Sequence, residues 1–256
     1  MKIKIISKNE YPELKKLRDN FEVSDKADVC VAVGGDGTFI RAANAFSGPI
    51  LPIRSGEPGS TGYYADVSLL DIDKIIDRLK TKKYAVEALG KKLEVSFKGE
   101  KRFAVNEILL HNVVEEVYFR IFYSEGGKMN QIYPYVIAGD GLIISANVGS
   151  TAYNRAANGP IIIDPDNICI TLLVPDGSFK NSIILPHYMR LHVKVEKGSG
   201  ILRYDGTDLS KLEKGDEFSV FHSDVPINVI KFSDMREEFS SKLKRLVGNK
   251  LVNDIV

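Results

Sequence analysis

The chain has 256 residues, of which 44% are hydrophobic, so it holds enough apolar material for one large domain or two modest ones. Its 35 Lys and Arg residues nearly balance its 34 Asp and Glu residues, and the formal net charge is +1. This balance excludes binding to nucleic acid or to an anionic membrane through bulk electrostatics.

No apolar run approaches the roughly 18 residues of a membrane-spanning helix, and the opening segment MKIKIISKNE has no apolar core typical of a secretory signal. We therefore expect a cytoplasmic protein that binds no membrane. Cys30 and Cys169 lie in strand-like runs without Cys or His at metal-ligand spacing. This pattern predicts two small core side chains and no disulfide or structural zinc.

The first part of the chain alternates strand and helix patterns. Short apolar runs at 2–6, 28–33 and 49–53 are typical of buried parallel strands. Between and after them, apolar residues recur at helical spacing in the segments 10–21, 39–46 and 68–84, the last with Leu70, Ile72, Ile75, Ile76 and Leu79 on one face. The alternation predicts a doubly wound, Rossmann-like α/β domain over residues 1–85.

Beyond residue 85 the apolar period shortens toward two, which predicts a β-rich domain over 86–232. Turns are expected at Lys98-Gly99-Glu100, at Gly126-Gly127 and at 139–141, and a helix is expected from Gly149 until Gly159-Pro160 ends it. The tail 233–256 returns to a helical pattern with one apolar stripe. We expect this helix to pack back on the first domain.

The segment Gly-Gly-Asp-Gly-Thr at 34–38 comes directly after the buried strand at 28–33 and directly before a helix. Open α/β sheets bind ligands at such turns, where glycines let a phosphate approach and the free amides of the helix start point at it. The motif is neither the dinucleotide fingerprint G-x-G-x-x-G nor a P-loop. It predicts a phosphate site.

Asp36 is the unusual residue of this segment, because a carboxylate among those amides repels phosphate unless it has its own task. It could accept a proton or hydrogen bond from a hydroxyl group, or hold Mg²⁺. The simpler alternative is an ordinary Asp-Gly turn. The flanking strand and helix favour the functional interpretation.

Several further motifs, in this order and spacing, resemble those of the NAD kinases. They are GGDGT at 34–38, GYYAD at 62–66, Asn106-Glu107, Asp140-Gly141, GSTAY at 149–153 and YDG at 204–206. GGDGT alone is also found in diacylglycerol and sphingosine kinases and in relatives of phosphofructokinase. The combination with Asn-Glu and GSTAY is highly specific.

The resemblance implies phosphorylation of the 2′-hydroxyl of the adenosine ribose of NAD, with ATP or polyphosphate as donor and a divalent metal, Mg²⁺, as cofactor. Phosphoryl transfer needs mainly positioning and charge stabilisation. Asp36 would then be the base, and the phosphate-binding residues would be Gly34, Gly35, Gly37 and Thr38. No protein metal ligand is assigned.

The resemblance also implies a set of substrate-binding residues. Asn106 has the planar donor and acceptor that pair with an adenine edge, Glu107 can accept from sugar hydroxyls, and Asp140 corresponds to a residue on the nicotinamide side. The full set is Gly37, Arg41, Tyr63, Asn106, Glu107, Asp140, Thr151, Ala152, Tyr153, Asn154, Ala156 and Asp205. Arg41 could instead lie on a solvated helix face, Tyr63 in the core, and Asp205 in a plain turn.

The sequence departs from the family pattern at several positions. Val148 and Ala156 replace hydroxyl residues, and the segment 54–60 that should wall the NAD pocket has an insertion. Two alternatives stay open: a catalytically silent NAD(P) sensor, and a lipid kinase of the same superfamily. The resemblance further implies a homodimer or homotetramer.

Overall fold

The computed structural model of the chain describes residues 1–57, 61–177 and 179–248. Contacts divide it into two compact units, which we name the first unit, 1–88 together with the chain from 227 onward, and the second unit, 89–226. The sequence predicts domain limits at 85/86 and 232/233, and these stay a prediction. Residues 58–60 of the expected pocket wall and 249–256 of the expected tail lie outside the described residues.

The helices and strands follow one another along the chain as follows. The first part contains β1 (Lys2–Ser7), α1 (Pro12–Asn20), β2 (Glu22–Val23), β3 (Val29–Val33), α2 (Asp36–Ala45), β4 (Ile50–Arg54), β5 (Val67–Ser68) and α3 (Ile72–Lys80). The middle part contains β6 (Ala85–Phe97), β7 (Glu100–Ala104), β8 (Glu107–Asn112), β9 (Val117–Glu125), β10 (Lys128–Gln131), β11 (Ile137–Gly139), β12 (Gly141–Ala146), α4 (Tyr153–Ala156), β13 (Asn167–Leu173), β14 (Ile183–Pro186), β15 (Arg190–Lys197), β16 (Ser199–Tyr204), β17 (Thr207–Glu213) and β18 (Glu217–Lys231). The chain then forms α5 (Phe239–Gly248).

The first unit is built on a parallel sheet. β1 pairs in parallel with both β2 and β3, β3 pairs with β4, and β4 pairs with β5 and with the end of β18. All five residues of β3 are buried, as a strand covered on both faces requires. β2 and β3 lie on opposite sides of β1, so the strand order reverses at β1 and creates the switch point of a doubly wound sheet. This arrangement confirms the predicted α/β fold.

α3 is shorter than the helix predicted over 68–84. Residues Leu69–Asp71 form a 3-10 turn, and the α-helix begins only at Ile72. Leu70 therefore leaves the expected apolar face and is 95% exposed, whereas Leu79 is fully buried. Ser68 and Asp71 form a capping box around this 3-10 turn, and the α-helical hydrogen bonding begins only after it.

The second unit is an all-antiparallel pair of sheets. One sheet has the order β14, β13, β12, β8, β16, β17, and in the other β15 lies between β9 and the start of β18. The predicted turns are found where expected, with Lys98-Gly99 joining β6 to β7 and Gly126-Gly127 joining β9 to β10. Apolar side chains from both sheets, such as Leu110, Ile144 and Phe119, form one buried core.

The helix expected from Gly149 to Gly159 is shorter than predicted. A 3-10 turn covers Gly149–Thr151, the backbone breaks at Ala152, and α4 has only four residues. Ser150 explains part of the difference, because its buried Oγ donates to the Asn147 carbonyl at 2.7 Å and accepts from the Ile162 amide at 2.9 Å. These bonds hold the segment in a local turn that competes with a longer helix.

α5 packs on the first unit, as expected. Its Lys242 and the Lys231 ammonium of β18 both pair with the Asp66 carboxylate, the latter at 2.7 Å, and all three side chains are largely buried. The buried side chain of Leu246 supplies the apolar contact. α5 is therefore part of the first unit.

Within the described residues, no helix combines the length and apolarity needed to cross a membrane. Cys30 and Cys169 are buried free thiols inside β3 and β13. Both are core side chains, as their strand-like surroundings predicted.

The two leucines of the 68–79 segment give a matched test of this fold. Leu79→Ala should lower the free energy of unfolding by about 2–5 kcal/mol, because it leaves a cavity in a packed core. Leu70→Ala removes the same atoms from a solvated position and should change it by less than about 0.5 kcal/mol. Urea denaturation followed by circular dichroism measures both, and equal losses would contradict the late start of α3.

Candidate active site

The glycine segment at 34–38 forms the sharp connection between β3 and α2. Gly34 has φ +151°, and a Cβ built on it would lie 2.5 Å from Thr38 Oγ1, so only glycine fits there. Gly35 is the N-cap residue, and Asp36 is the first residue of α2. Asp36 thus lies at the carboxyl end of β3, a central strand of the parallel sheet, where α/β sheets bind ligands.

The first turn of α2 has the properties of an anion site. Amides at a helix start lack carbonyl partners within the helix, and the helix dipole adds partial positive charge. A Cβ built on Gly37 would meet no atom within 4 Å, so this side of the turn is open. Thr38 is buried in the turn, and the exposed Arg41 lies one turn later with its Nη2 3.4 Å from Thr38 Oγ1.

The Asp36 carboxylate faces a second loop of the first unit. The Tyr64 amide donates to Asp36 Oδ1 at 3.4 Å. Burial raises the pKa of Asp36 above its ordinary value, while the amides of Tyr64 and Tyr63 and the charge of Arg245 act in the opposite direction. The pKa of the Tyr63 phenol is raised by burial and by Asp36. Asp36 is therefore a carboxylate tuned toward accepting a proton.

The loop that faces Asp36 is a turn over residues 62–65, closed by the Ala65 amide donating to the Gly62 carbonyl at 3.2 Å. Tyr64 stacks on Phe39 of α2 with ring centroids 4.8 Å apart. The Arg245 guanidinium of α5 donates from Nε to the Thr61 carbonyl at 3.2 Å and from Nη2 to the Gly62 carbonyl at 3.1 Å. The turn is thus held by α2 and by α5.

A second group of predicted residues gathers in the second unit around Asp205. This residue, at φ +46° in the turn between β16 and β17, accepts from the amides of Val105 and Asn106 at 2.7 Å and of Glu107 at 3.2 Å. Its carboxylate therefore fixes the Asn106-Glu107 segment, which is more than the plain turn considered as its alternative. The role of Asp205 toward a ligand stays a prediction.

Asn106 and Glu107 are both buried, yet Asn106 Oδ1 and Glu107 Oε2 have no hydrogen-bond partner among the described residues. Burial, and next the negative charge of Asp205, raise the pKa of Glu107 to about 7. Buried polar atoms are normally paired in folded proteins. These two oxygens, on adjacent residues, are exceptions to that rule among the described side chains.

The GSTAY segment at 149–153 packs directly against Asn106. A Cβ built on Gly149 would lie 1.7 Å from the Asn106 carbonyl oxygen, so glycine permits this approach. Thr151 Oγ1 lies 3.4 Å from the Val148 carbonyl, and the ring of Tyr153 is 40% exposed. The structure therefore brings the Asn-Glu and GSTAY motifs together, with an aromatic face open to solvent.

The short helix α4 divides its predicted residues between surface and interior. Ala156 is exposed, and Ala152 is half-buried at the break before the helix. Asn154 is fully buried, donating to the Pro160 carbonyl at 2.9 Å and accepting from Thr171 Oγ1 at 2.7 Å. Its side chain ties the turn to β13.

Asp140 is not brought to the same place. It accepts from Asn112 Nδ2 at 3.0 Å, at the end of β8 opposite to Glu107. At a rise of about 3.4 Å per residue, Glu107 and Asn112 are roughly 17 Å apart along that strand. Within the second unit, Asp140 therefore lies apart from the other predicted binding residues.

Sequence reasoning missed Arg245 and the backbone amides of the 62–65 turn. Arg245 lies about 200 residues from Asp36 along the chain. The sequence pattern of its segment indicates only a helix with one apolar face. Backbone amides carry no side-chain signal at all. Only the fold places these groups beside the carboxylate.

Protein ligands for a resident metal are not grouped in the structure. Among the described side chains, no three His, Cys, Asp or Glu residues lie close enough together to hold an ion.

Two family models match the chain: the ATP-NAD kinase N-terminal domain over residues 2–84 and the ATP-NAD kinase C-terminal domain over residues 127–232. An NAD kinase of Acetivibrio thermocellus is 30% identical over 200 residues, which are 76% of this chain and 68% of that relative. An NAD kinase of Picrophilus torridus is 28% identical over 236 residues, which are 90% of this chain and 80% of that relative.

Solved structures agree with the fold. Yeast NADH kinase complexed with NADH superposes with a TM-score of 0.80 at 19% identity, covering 97% of this chain and 87% of that one. An NAD kinase from Archaeoglobus fulgidus in complex with ATP gives a TM-score of 0.76 at 19% identity, covering 96% and 99%. The chain therefore belongs to the NAD kinase family, and it is a phosphotransferase with NAD kinase function.

Proposed function

We propose that the chain transfers the terminal phosphoryl group of ATP or polyphosphate to the 2′-hydroxyl of the adenosine ribose of NAD, giving NADP, with Asp36 as the base. The observation that carries the role of Asp36 is its position as the first residue of α2, among amides that favour phosphate. A carboxylate weakens phosphate binding there, so its use must lie elsewhere. A hydroxyl acceptor supplies that use.

In the proposed step the 2′-oxygen forms a bond to the phosphorus, and the bond from phosphorus to the bridging oxygen of the donor breaks. Asp36 takes the hydroxyl proton, and the released donor phosphate keeps the bonding electrons. Burial raises the pKa of Asp36 above its ordinary value, which makes the carboxylate a stronger base. Gly34, Gly35, Gly37 and Thr38 hold phosphate through the start of α2, and Arg41 adds positive charge.

A divalent metal, which we propose to be Mg²⁺ entering with the donor phosphates, supplies neutralisation of their negative charge when it is bound. The chain's own part is to orient the acceptor hydroxyl and to exclude water from it.

For NAD we propose that Asn106 pairs with the adenine edge and that Glu107 accepts from sugar hydroxyls. Their unpaired buried oxygens support this assignment. Thr151, Ala152 and Tyr153 would line the adenosine side, Tyr63 would contact the dinucleotide, and Asp140 would serve the nicotinamide side. Asp205 and Asn154 would act by fixing these segments, and Ala156 would lie at the rim.

We also propose that the chain works as a homo-oligomer. β14 is an edge strand of its sheet, and its residue Ile184 is 48% exposed. Ile184 and Val174, which is 74% exposed, both line an open cavity of about 830 Å³. Exposed apolar side chains on an unpaired strand edge favour association. A partner copy would cover them.

We place the protein in the cytoplasm. The two buried cysteines are free thiols, which agrees with a reducing compartment. Fractionation of the source cells with an antibody to the chain would find it in the soluble cytoplasmic fraction, and recovery from another fraction would contradict the proposal.

Asp36→Asn tests the proposed base. It preserves size but removes the charge, so kcat should fall by a factor of about 10²–10⁴, the usual contribution of a positioned base. Purified protein is incubated with NAD, Mg²⁺ and either ATP or polyphosphate, and NADP is read with an NADP-specific dehydrogenase. A parallel tube with NADH tests the reduced acceptor.

The matched control for this experiment is Asp19→Asn, an exposed aspartate of α1. It should retain wild-type activity. NAD binding by calorimetry without any NADP formation would instead indicate a silent sensor. Undiminished turnover by the Asp36 variant would remove the carboxylate from the mechanism.

Glu107 predicts a pH dependence of stability. Its pKa is about 7 in the folded chain, against 4.5 for a solvated glutamate side chain, so the folded state binds more protons between these values, and stability falls as pH rises through this window. The loss is about 3–4 kcal/mol, since one pKa unit corresponds to about 1.4 kcal/mol. Glu107→Gln should abolish this part of the pH dependence in urea denaturation at pH 4.5 to 8. Parallel pH profiles for both proteins would contradict the raised pKa.

Ile184→Glu tests the proposed association. A charge on the exposed edge strand should dissociate the oligomer, because burying an unpaired carboxylate at an interface is costly. Sedimentation velocity should give a smaller particle than for the wild type, while Val23→Glu, at a residue that is 49% exposed on β2, should not change it. A wild-type monomer would refute the proposal.

A further inference from the structure

The contacts of Arg245 use the whole guanidinium group. Nε and Nη2 donate to the carbonyls of Thr61 and Gly62, and Nη1 pairs with the Glu237 carboxylate. The side chain is only 20% exposed. Three partners in fixed directions need a planar fork of donors, which arginine has and lysine lacks.

The two carbonyls that Arg245 holds belong to the beginning of the turn opposite Asp36. Because the Gly62 carbonyl also closes the turn by accepting from Ala65, fixing it also fixes the directions of the amides between them. Those amides, of Tyr63 and Tyr64, are the ones that face the Asp36 carboxylate. A movement of Gly62 would therefore turn them away.

Gly62 has little freedom on its other side. Its φ is +53°, and a Cβ on it would lie 2.5 Å from Arg54 Cγ. Arg54 in turn lies 3.7 Å from Glu237, the ion-pair partner of Arg245. The turn is thus clamped between a residue of β4 and a residue of α5.

We propose that Arg245 is a positioning residue for Asp36, holding the 62–65 turn so that its amides point at the carboxylate. This inference rests on the proposed role of Asp36 as the base. Arg245 touches neither acceptor nor donor in the proposed reaction. It acts through the turn and through its charge.

The charge of Arg245 gives this role a distinct signature. Burial raises the pKa of Asp36, while the two turn amides and Arg245 lower it. The other groups facing this region are the Tyr63 phenol toward Asp36, and Glu237 and Arg54 toward Arg245. Removing the guanidinium should raise the pKa of Asp36 further, so the base would become ionised only at higher pH.

The test measures kcat for NADP formation between pH 5 and 9 with wild type, Arg245→Met and Arg245→Lys. Loss of one nearby opposite charge should move the acidic limb of the Arg245→Met profile upward by about one pH unit. Below that limb the rate should be about tenfold lower than that of the wild type. Arg245→Lys keeps the positive charge but loses the planar set of guanidinium donors. The acidic limb of its kcat profile should therefore move less than that of Arg245→Met, while its maximal kcat is still reduced.

Lys244→Met is the matched control, because Lys244 is an exposed neighbour on the same helix. Its profile should coincide with that of the wild type, and thermal unfolding shows that each variant is folded. A uniform loss across all pH values, or an unchanged profile, in folded Arg245→Met would overturn the positioning role. If Arg245→Met does not fold, a profile of Arg245→Lys identical to wild type overturns it.

The proposed function fails in a different way. If the wild-type protein forms no NADP, or if Asp36→Asn is as active as wild type, Asp36 is not the base and the role of Arg245 falls with it. If both of those controls behave as expected and only the Arg245 profile does not shift, the base stands and the positioning role alone is refuted.

Discussion

The site in the first unit depends on the junction between β3 and α2, because the backbone amides of a helix start are only partly used within the helix and this junction places them at the carboxyl edge of a parallel sheet. Gly34 makes this junction sharp because a side chain there would collide with Thr38. The helix start then offers positive potential to phosphate. Asp36 lies within that potential as the single carboxylate among the motif residues, and the Tyr64 amide of the facing turn donates to it.

In the second unit the predicted site residues bring two carboxylates, Asp205 and Glu107, close together. The Asp205 carboxylate accepts hydrogen bonds from three backbone amides. Glu107 therefore lies beside the negative charge of Asp205, and its Oε2 has no hydrogen-bond partner among the described residues. An unpaired buried carboxylate is unfavourable for stability. The segment therefore keeps a buried oxygen without a hydrogen-bond partner among the described residues, and this is the oxygen that the proposed function assigns to a sugar hydroxyl.

Much of this arrangement could be predicted from the sequence. The apolar run of β3, the glycines after it and the two-residue turns of the second unit are local signals, and the structure has them where the residues indicate. Leu70 and the helix after Gly149 differ from the prediction because periodicity does not register a capping box or a serine bonded across twelve residues. Arg245 could not be predicted, since nothing local marks a distant side chain as the support of a turn.

The connection of β18 and α5 to the first unit has a consequence for biosynthesis. The strand that pairs with β4, and the helix whose arginine holds the turn near Asp36, emerge from the ribosome only after all of residues 89–226. A nascent chain can bury the second unit's core earlier, whereas the parallel sheet waits for its last strand. On this arrangement a chain that stops before α5 would present the glycine loop without the contacts that Arg245 makes to the facing turn.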